Sequence, residues 1–156
     1  ITVIYVGKIK EKYFTAAIDE YSKRLSRFAK LNIIEVADEK IPDNASEKEM
    51  EQIKEKEGNK ILAKLPQNSF VVTLCIEGKE HSSEELAKKI ADISMTSSHI
   101  TFIIGGSLGL SDTVKSKSAL RLSFGKMTLP HQLMRVVLLE QIYRAFKINN
   151  NESYHK

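Results

Sequence analysis

The chain of 156 residues has no tryptophan and a single cysteine, Cys75. One thiol cannot close an intrachain disulfide, which points to a reducing compartment. Cys75 ends the apolar run Phe70-Val71-Val72-Thr73-Leu74-Cys75, where a small buried hydrophobe is the expected role and a reactive thiol is not. No stretch approaches the ~20 apolar residues that span a bilayer. The start, Ile1-Thr2-Val3-Ile4-Tyr5-Val6-Gly7, has the alternation of a strand. It lacks the basic start and cleavage site of a secretion signal, so a cytoplasmic location is expected. The four histidines, His81, His99, His131 and His155, have no partners at metal-ligand spacing, and no metal is expected. No repeat, low-complexity segment or linker interrupts the chain, and its length suits one domain over 1–156.

Acidic residues are scarce in one region. Residues 105–156 hold 3 Asp/Glu against 8 Lys/Arg, whereas residues 1–104 hold 17 against 16. The net charge of +4 is therefore carried by the last third, a bias that suits an anionic partner such as nucleic acid.

What is present alternates between strand and helix patterns. Strands are expected at 1–7, 31–37, 69–75, 99–104 and 120–124. A helix with Phe14, Ala17, Ile18, Tyr21, Leu25 and Phe28 on one face follows the first strand. Ser46 with Glu49, and Ser82 with Glu85, are capping boxes that open helices running to about Leu65 and Met95. A short helix is expected over Asp112–Lys117 and a long one over His131–Ile148. This order implies an α/β fold, a mostly parallel sheet with helices on both faces. The last helix carries Leu133, Met134, Val136, Val137, Leu138, Leu139, Ile142, Tyr143, Ala145 and Phe146 around most of its circumference. A helix apolar all round must be buried all round, which suggests a subunit interface.

Ligands of parallel sheets bind beyond the carboxyl ends of the strands. The loops after Leu74, Ile104 and Phe124 are the candidates. Gly105-Gly106-Ser107-Leu108-Gly109 is neither a dinucleotide fingerprint nor a P-loop. Gly105-x-Ser107-x-Gly109 does match the nucleophile elbow of serine hydrolases, with His131 or His155 as base and Asp112, Glu140 or Glu152 as acid. A binding module for RNA without catalysis is a third reading. Pro130 pre-sets the first turn of the last helix, and His131 stands in that turn. Glu140 and Arg144 are spaced as an i,i+4 pair.

The motifs Ile104-Gly105-Gly106-Ser107-x-Gly109-Leu110, Leu122-Ser123-Phe124-Gly125-Lys126-Met127-Thr128, Pro130-His131-Gln132-Leu133-Met134-Arg135 through Glu140-Gln141-Ile142-Tyr143-Arg144-Ala145, and the terminal Tyr154-His155-Lys156 resemble the ribosomal RNA large-subunit methyltransferase H family. Val6-Gly7-Lys8 and Tyr21-x-Lys23-Arg24 fit it as well. The resemblance covers the whole chain. It implies a SPOUT-type fold with a C-terminal trefoil knot, a homodimer, and methylation of N3 of a pseudouridine in 23S ribosomal RNA within the ribosome. It implies S-adenosylmethionine as cofactor, with Leu74, Gly105, Phe124, Gly125, Lys126, Met127, Thr128 and Leu129 lining its site. Ser107 stands where relatives often have proline, and Lys156 where some have arginine.

Removing the imide proton of the target base requires a base or an anion-stabilising group. The candidates are His155, Glu140 and His131, with Arg144 and Arg135 stabilising the anion or binding phosphate and Tyr154 stacking on the base. Residues 149–153 are polar, and the expectation is a flexible tail that carries Tyr154, His155 and Lys156 into the partner subunit's site.

Overall fold

The computed structural model describes residues 1–156. Its sheet has five strands, β1 (Thr2–Val6), β2 (Asn32–Val36), β3 (Phe70–Glu80), β4 (Ile100–Ile104) and β5 (Leu120–Ser123), in the order β2-β1-β4-β3-β5. Every pairing is parallel. β1 and β4 lie at the centre with all their residues buried, which is why both read as nearly unbroken apolar runs.

Five helices cover the sheet: α1 (Lys12–Leu25), α2 (Glu47–Lys64), α3 (Ser83–Thr96), α4 (Asp112–Ser116) and α5 (His131–Asn149). Strand alternation divides the core. Val3, Tyr5, Phe102 and Ile104 pack with Ile18 and Leu25 of α1, Leu86 and Ile90 of α3, and Leu138, Leu139 and Ile142 of α5. Ile4, Val6 and Ile103 face the opposite way, onto Ile61 of α2 and Val114 of α4. Both expected capping boxes form, Ser46 with Glu49 and Ser82 with Glu85. No helix is long and apolar enough to cross a membrane.

Two elements differ from expectation. β3 runs past Cys75 to Glu80, because after a break in register both Leu74 and Lys79 pair with Leu122 of β5. The close return is possible at Gly78, where a Cβ would lie 2.8 Å from the backbone of Arg121 and Leu122. α1 ends at Leu25, and Phe28 follows in a turn, its ring 5.7 Å from that of Phe146.

α5 is not wrapped evenly. Leu138, Leu139, Ile142 and Ala145 are fully buried within this single chain. Truncating such a side chain typically costs ~2–5 kcal/mol. Leu133 and Val137 are only partly covered and belong to neither core cluster. One narrow stripe of the helix therefore remains open, not its whole circumference.

Candidate functional site

A pocket of about 680 Å³ opens at the carboxyl ends of β4 and β5, against Leu74–Glu77 of β3. Two loops and a stretch of β3 build it, and each loop is shaped by local chemistry. After β4 the chain folds into a tight loop in which Gly109 N–H donates to Gly106 C=O at 3.0 Å. Gly109 has φ +83°, a left-handed conformation that glycine adopts without steric cost. A Cβ on Gly105 would come within 2.6 Å of the Gly109 carbonyl carbon. Below this loop Ser111 caps α4 by accepting from Val114 N–H.

After β5, Gly125 N–H donates to Ser123 Oγ at 3.2 Å, and Gly125 turns the chain with φ +118°. Residues 126–130 are exposed and lead into α5. The expected loop after Leu74 is strand instead, and Leu74–Glu77 of β3 supply the third wall.

Leu74, Gly105, Phe124, Gly125, Met127, Thr128 and Leu129 all line this pocket, and so does His131. Lys126 is exposed and is not part of the lining. The structure adds Ile104, Met134, Lys54, Glu77 and Lys115 to the walls. Lys115 forms an ion pair with Glu77. No periodicity announces Lys54 or Lys115, since the turns that aim them depend on how α2 and α4 pack beneath the glycine loop. Burial and the nearby Arg135 cation hold His131 below the usual imidazole range, partly opposed by Asp38, so it is neutral at pH 7.

The pocket has the character of a small-molecule site. Its volume lies within the ~300–1,000 Å³ range of small-molecule sites, its walls are largely apolar, and its glycine loop brings backbone close to the interior. The left-handed Gly125 leaves open space where a side chain would stand.

A second cluster lies on α5 outside this pocket. Arg144 donates to Glu140 Oε1 from Nε at 3.0 Å and from Nη2 at 2.6 Å. Tyr154 donates its hydroxyl to the same oxygen at 3.0 Å. The Arg144 guanidinium lies 4.7 Å from the Tyr154 ring centroid. Its Nη1 is 3.2 Å from His155 Nδ1, while His155 Nε2 is 2.7 Å from Glu84 Oε1. A neutral imidazole protonated on Nε2 satisfies both contacts, accepting from Arg144 and donating to Glu84. Burial, then the bond to Glu140 and that carboxylate's charge, push the Tyr154 hydroxyl up to about 12. It therefore keeps its proton. Glu140, Arg144, Tyr154 and His155 come together as one network, and none of them lines the pocket of the same chain.

Three expectations require correction. Arg135 is only 1% exposed. Its guanidinium stacks 3.8 Å from the Tyr5 ring centroid and donates from Nη2 to Val6 C=O at 2.6 Å. It clamps α5 to β1 and is not free to meet an anion or a phosphate. The tail is not loose either. α5 runs to Asn149, the chain reverses at Asn151 with φ +53°, and Glu152 pairs with Arg27 and Lys147. Tyr154 and His155 therefore dock on their own subunit's helices. Finally, Ser107 is exposed and no histidine hydrogen-bonds to it. The histidine contacts run instead to Thr2, Lys79, Arg144 and Glu84. Glu140 and Glu152 are committed to cations, so no nucleophile–base–acid triad exists. Nor do any three His, Cys, Asp or Glu side chains converge as a metal site.

Known proteins bear on the same residues. A family model described as "Predicted SPOUT methyltransferase" matches residues 1–155. Proteins named ribosomal RNA large subunit methyltransferase H align over all of this chain and 99% of their own length. They are 60% identical in Clostridioides difficile strain 630, 62% in Clostridium novyi strain NT and 62% in Clostridium botulinum strain Kyoto. With a glycine-loop pocket at the sheet's carboxyl edge and full-length similarity of this degree, the chain belongs to the SPOUT methyltransferases, within the ribosomal RNA large subunit methyltransferase H family.

Proposed function

We propose that the protein transfers a methyl group from S-adenosylmethionine to N3 of a pseudouridine in 23S ribosomal RNA, acting in the cytoplasm on the assembled ribosome. The observation that carries this reading is the pocket formed by the loops after β4 and β5 against the middle of β3 in a chain of the SPOUT family. S-adenosylmethionine supplies an electrophilic methyl group on a sulfonium. The protein's task is to hold the acceptor nitrogen in line and manage its proton. Leu74, Ile104 and Phe124 would shield the donor from water, and the glycine loop would let backbone come close to it.

The acceptor side is assigned to Glu140, Arg144, Tyr154 and His155, with His131 on the pocket wall as the remaining candidate base. His131 is neutral at pH 7 and can accept a proton. Arg144, already oriented by two bonds to Glu140, would stabilise the anion left on the base. The cluster lies outside its own chain's pocket, so the working site is composite. In a homodimer the open stripe of α5, Leu133 and Val137 with Glu140 and Arg144 further along the same face, would bring one subunit's cluster to the partner's pocket. The C-terminal trefoil knot implied by the family belongs to this proposal.

Calorimetric titration tests the cofactor half. The wild-type protein should bind S-adenosylmethionine, and Leu129→Asp, which places a charge in the apolar wall, should lose that binding while remaining folded. Gly105→Val is a poor probe, because its Cβ would strike the loop's own backbone and distort the site whether or not a ligand approaches there. A folded Leu129→Asp variant that bound normally would place the cofactor elsewhere.

A further inference from the structure

From the end of β1 into the first turn of α1 the sequence reads Gly7-Lys8-Ile9-Lys10-Glu11-Lys12-Tyr13-Phe14. Lys8, Lys10 and Lys12 are all exposed, and none of them forms an ion pair. Glu11 is the single carboxylate among residues 7–16. Tyr13 is 65% exposed, the most exposed aromatic ring of the chain. Neither the Tyr13 ring nor these cations belongs to the core.

The segment is nevertheless fixed in place. Gly7 leaves β1 with φ +86° while its N–H stays bonded to Val36 C=O at 2.8 Å. Ile9 packs on the core. Lys10 N–H approaches Gln132 Oε1 at 3.4 Å, and Gln132 follows His131 on the pocket wall. Phe14, half-buried, backs Tyr13 with ring centroids 4.5 Å apart. The segment is thus held at Gly7, Ile9 and Lys10, and the Lys10 backbone meets the first turn of α5 one residue from the pocket-lining His131.

We propose that residues 8–13 form an RNA-docking platform: Lys8, Lys10 and Lys12 take phosphates flanking the target nucleotide, and the Tyr13 ring stacks on an unpaired neighbouring base. This inference rests on the reading of ribosomal RNA as substrate. Backbone phosphates reward mobile ammonium groups without demanding a fixed fork. Unpaired bases offer a π-face to an exposed aromatic. Neither group is part of the cofactor pocket or of the Glu140 cluster.

The experiment measures co-sedimentation of the full-length protein with purified large ribosomal subunits lacking the modification. Methyl-transfer kinetics, S-adenosylmethionine titration and sedimentation velocity accompany it. The triple variant K8E/K10E/K12E should weaken binding at least tenfold and flatten its salt dependence by about two units of log K per log salt. It should raise KM for the subunits with S-adenosylmethionine affinity unchanged. Tyr13→Ala should weaken binding roughly tenfold or more, and Tyr13→Phe should restore it, because stacking uses the ring. Wild-type affinity in both the lysine and the Tyr13→Ala variants would overturn the platform. So would dissociation of the wild-type dimer by these variants, which would make the patch a contact between copies of the chain. Failure of the substrate reading looks different: the wild type would bind S-adenosylmethionine yet neither sediment with nor methylate the subunits, and the platform would fall with it.

Discussion

Two buried charged side chains near the pocket show how position overrides residue type. Arg135 spends its charge on the Tyr5 ring and one carbonyl. Glu57, only 5% exposed, accepts Glu39 N–H at 3.0 Å and lies against Gly106. Burial raises the Glu57 carboxyl above its ordinary range. A carboxyl raised on folding contributes stability that is present below the unfolded pKa of about 4.3 and is lost as pH rises through the higher folded value. Glu57→Gln keeps an oxygen for Glu39 N–H and cannot ionise. Urea midpoints should therefore show the variant gaining on the wild type between pH 4.5 and pH 8. An advantage that shrinks over that range would mean that the native site favours the carboxylate. Neither role was legible in the sequence. Arg135 and Glu57 stand in motifs or charged runs where exposure is the ordinary expectation, and only the path of the strands beneath them decides otherwise. The glycine positions were legible, because a loop that hugs a ligand or itself leaves few other residue choices.

At the scale of the element, α5 carries the most consequence. Its apolar composition correctly marked it as buried, but composition cannot say which side is covered by its own chain. Leu139 is 1% exposed here, so Leu139→Glu buries a charge in the core and should leave no cooperatively folded protein. Val137→Glu changes the open stripe instead. It should give a folded monomer at micromolar concentration by sedimentation velocity, with a wild-type circular dichroism spectrum. A Val137→Glu variant that stays dimeric would move the interface off this face. Strand and helix order was readable from alternation and the two capping boxes. The extension of β3 to Glu80 was not, because Cys75–Gly78 breaks the pattern and the pairing resumes only through contact with β5.

For the molecule as a whole, the proposed composite site would make one subunit an incomplete enzyme. Subunit exchange tests this directly. Leu129→Asp, dead in cofactor binding, and Glu140→Gln, dead at the acceptor cluster, are mixed after each is shown to be inactive alone. In a composite site the mixed dimer regains one working centre, where the intact pocket of the Glu140→Gln subunit meets the intact cluster of the other. Activity should return to a substantial fraction of wild type. If heterodimers form and nothing returns, each cluster serves its own chain.

The positive charge concentrated in residues 105–156 and the lysines around the start of α1 suit a ribosomal target. The measurement that bears most directly on the whole account is mass spectrometry of 23S ribosomal RNA after incubation of the protein with isotopically labelled S-adenosylmethionine and ribosomes lacking the modification. The account predicts one labelled methyl group, on N3 of a single pseudouridine, and transfer to intact ribosomes that exceeds transfer to naked RNA. Tight binding of S-adenosylmethionine with no label in the RNA, or label on another atom or nucleotide, would contradict it.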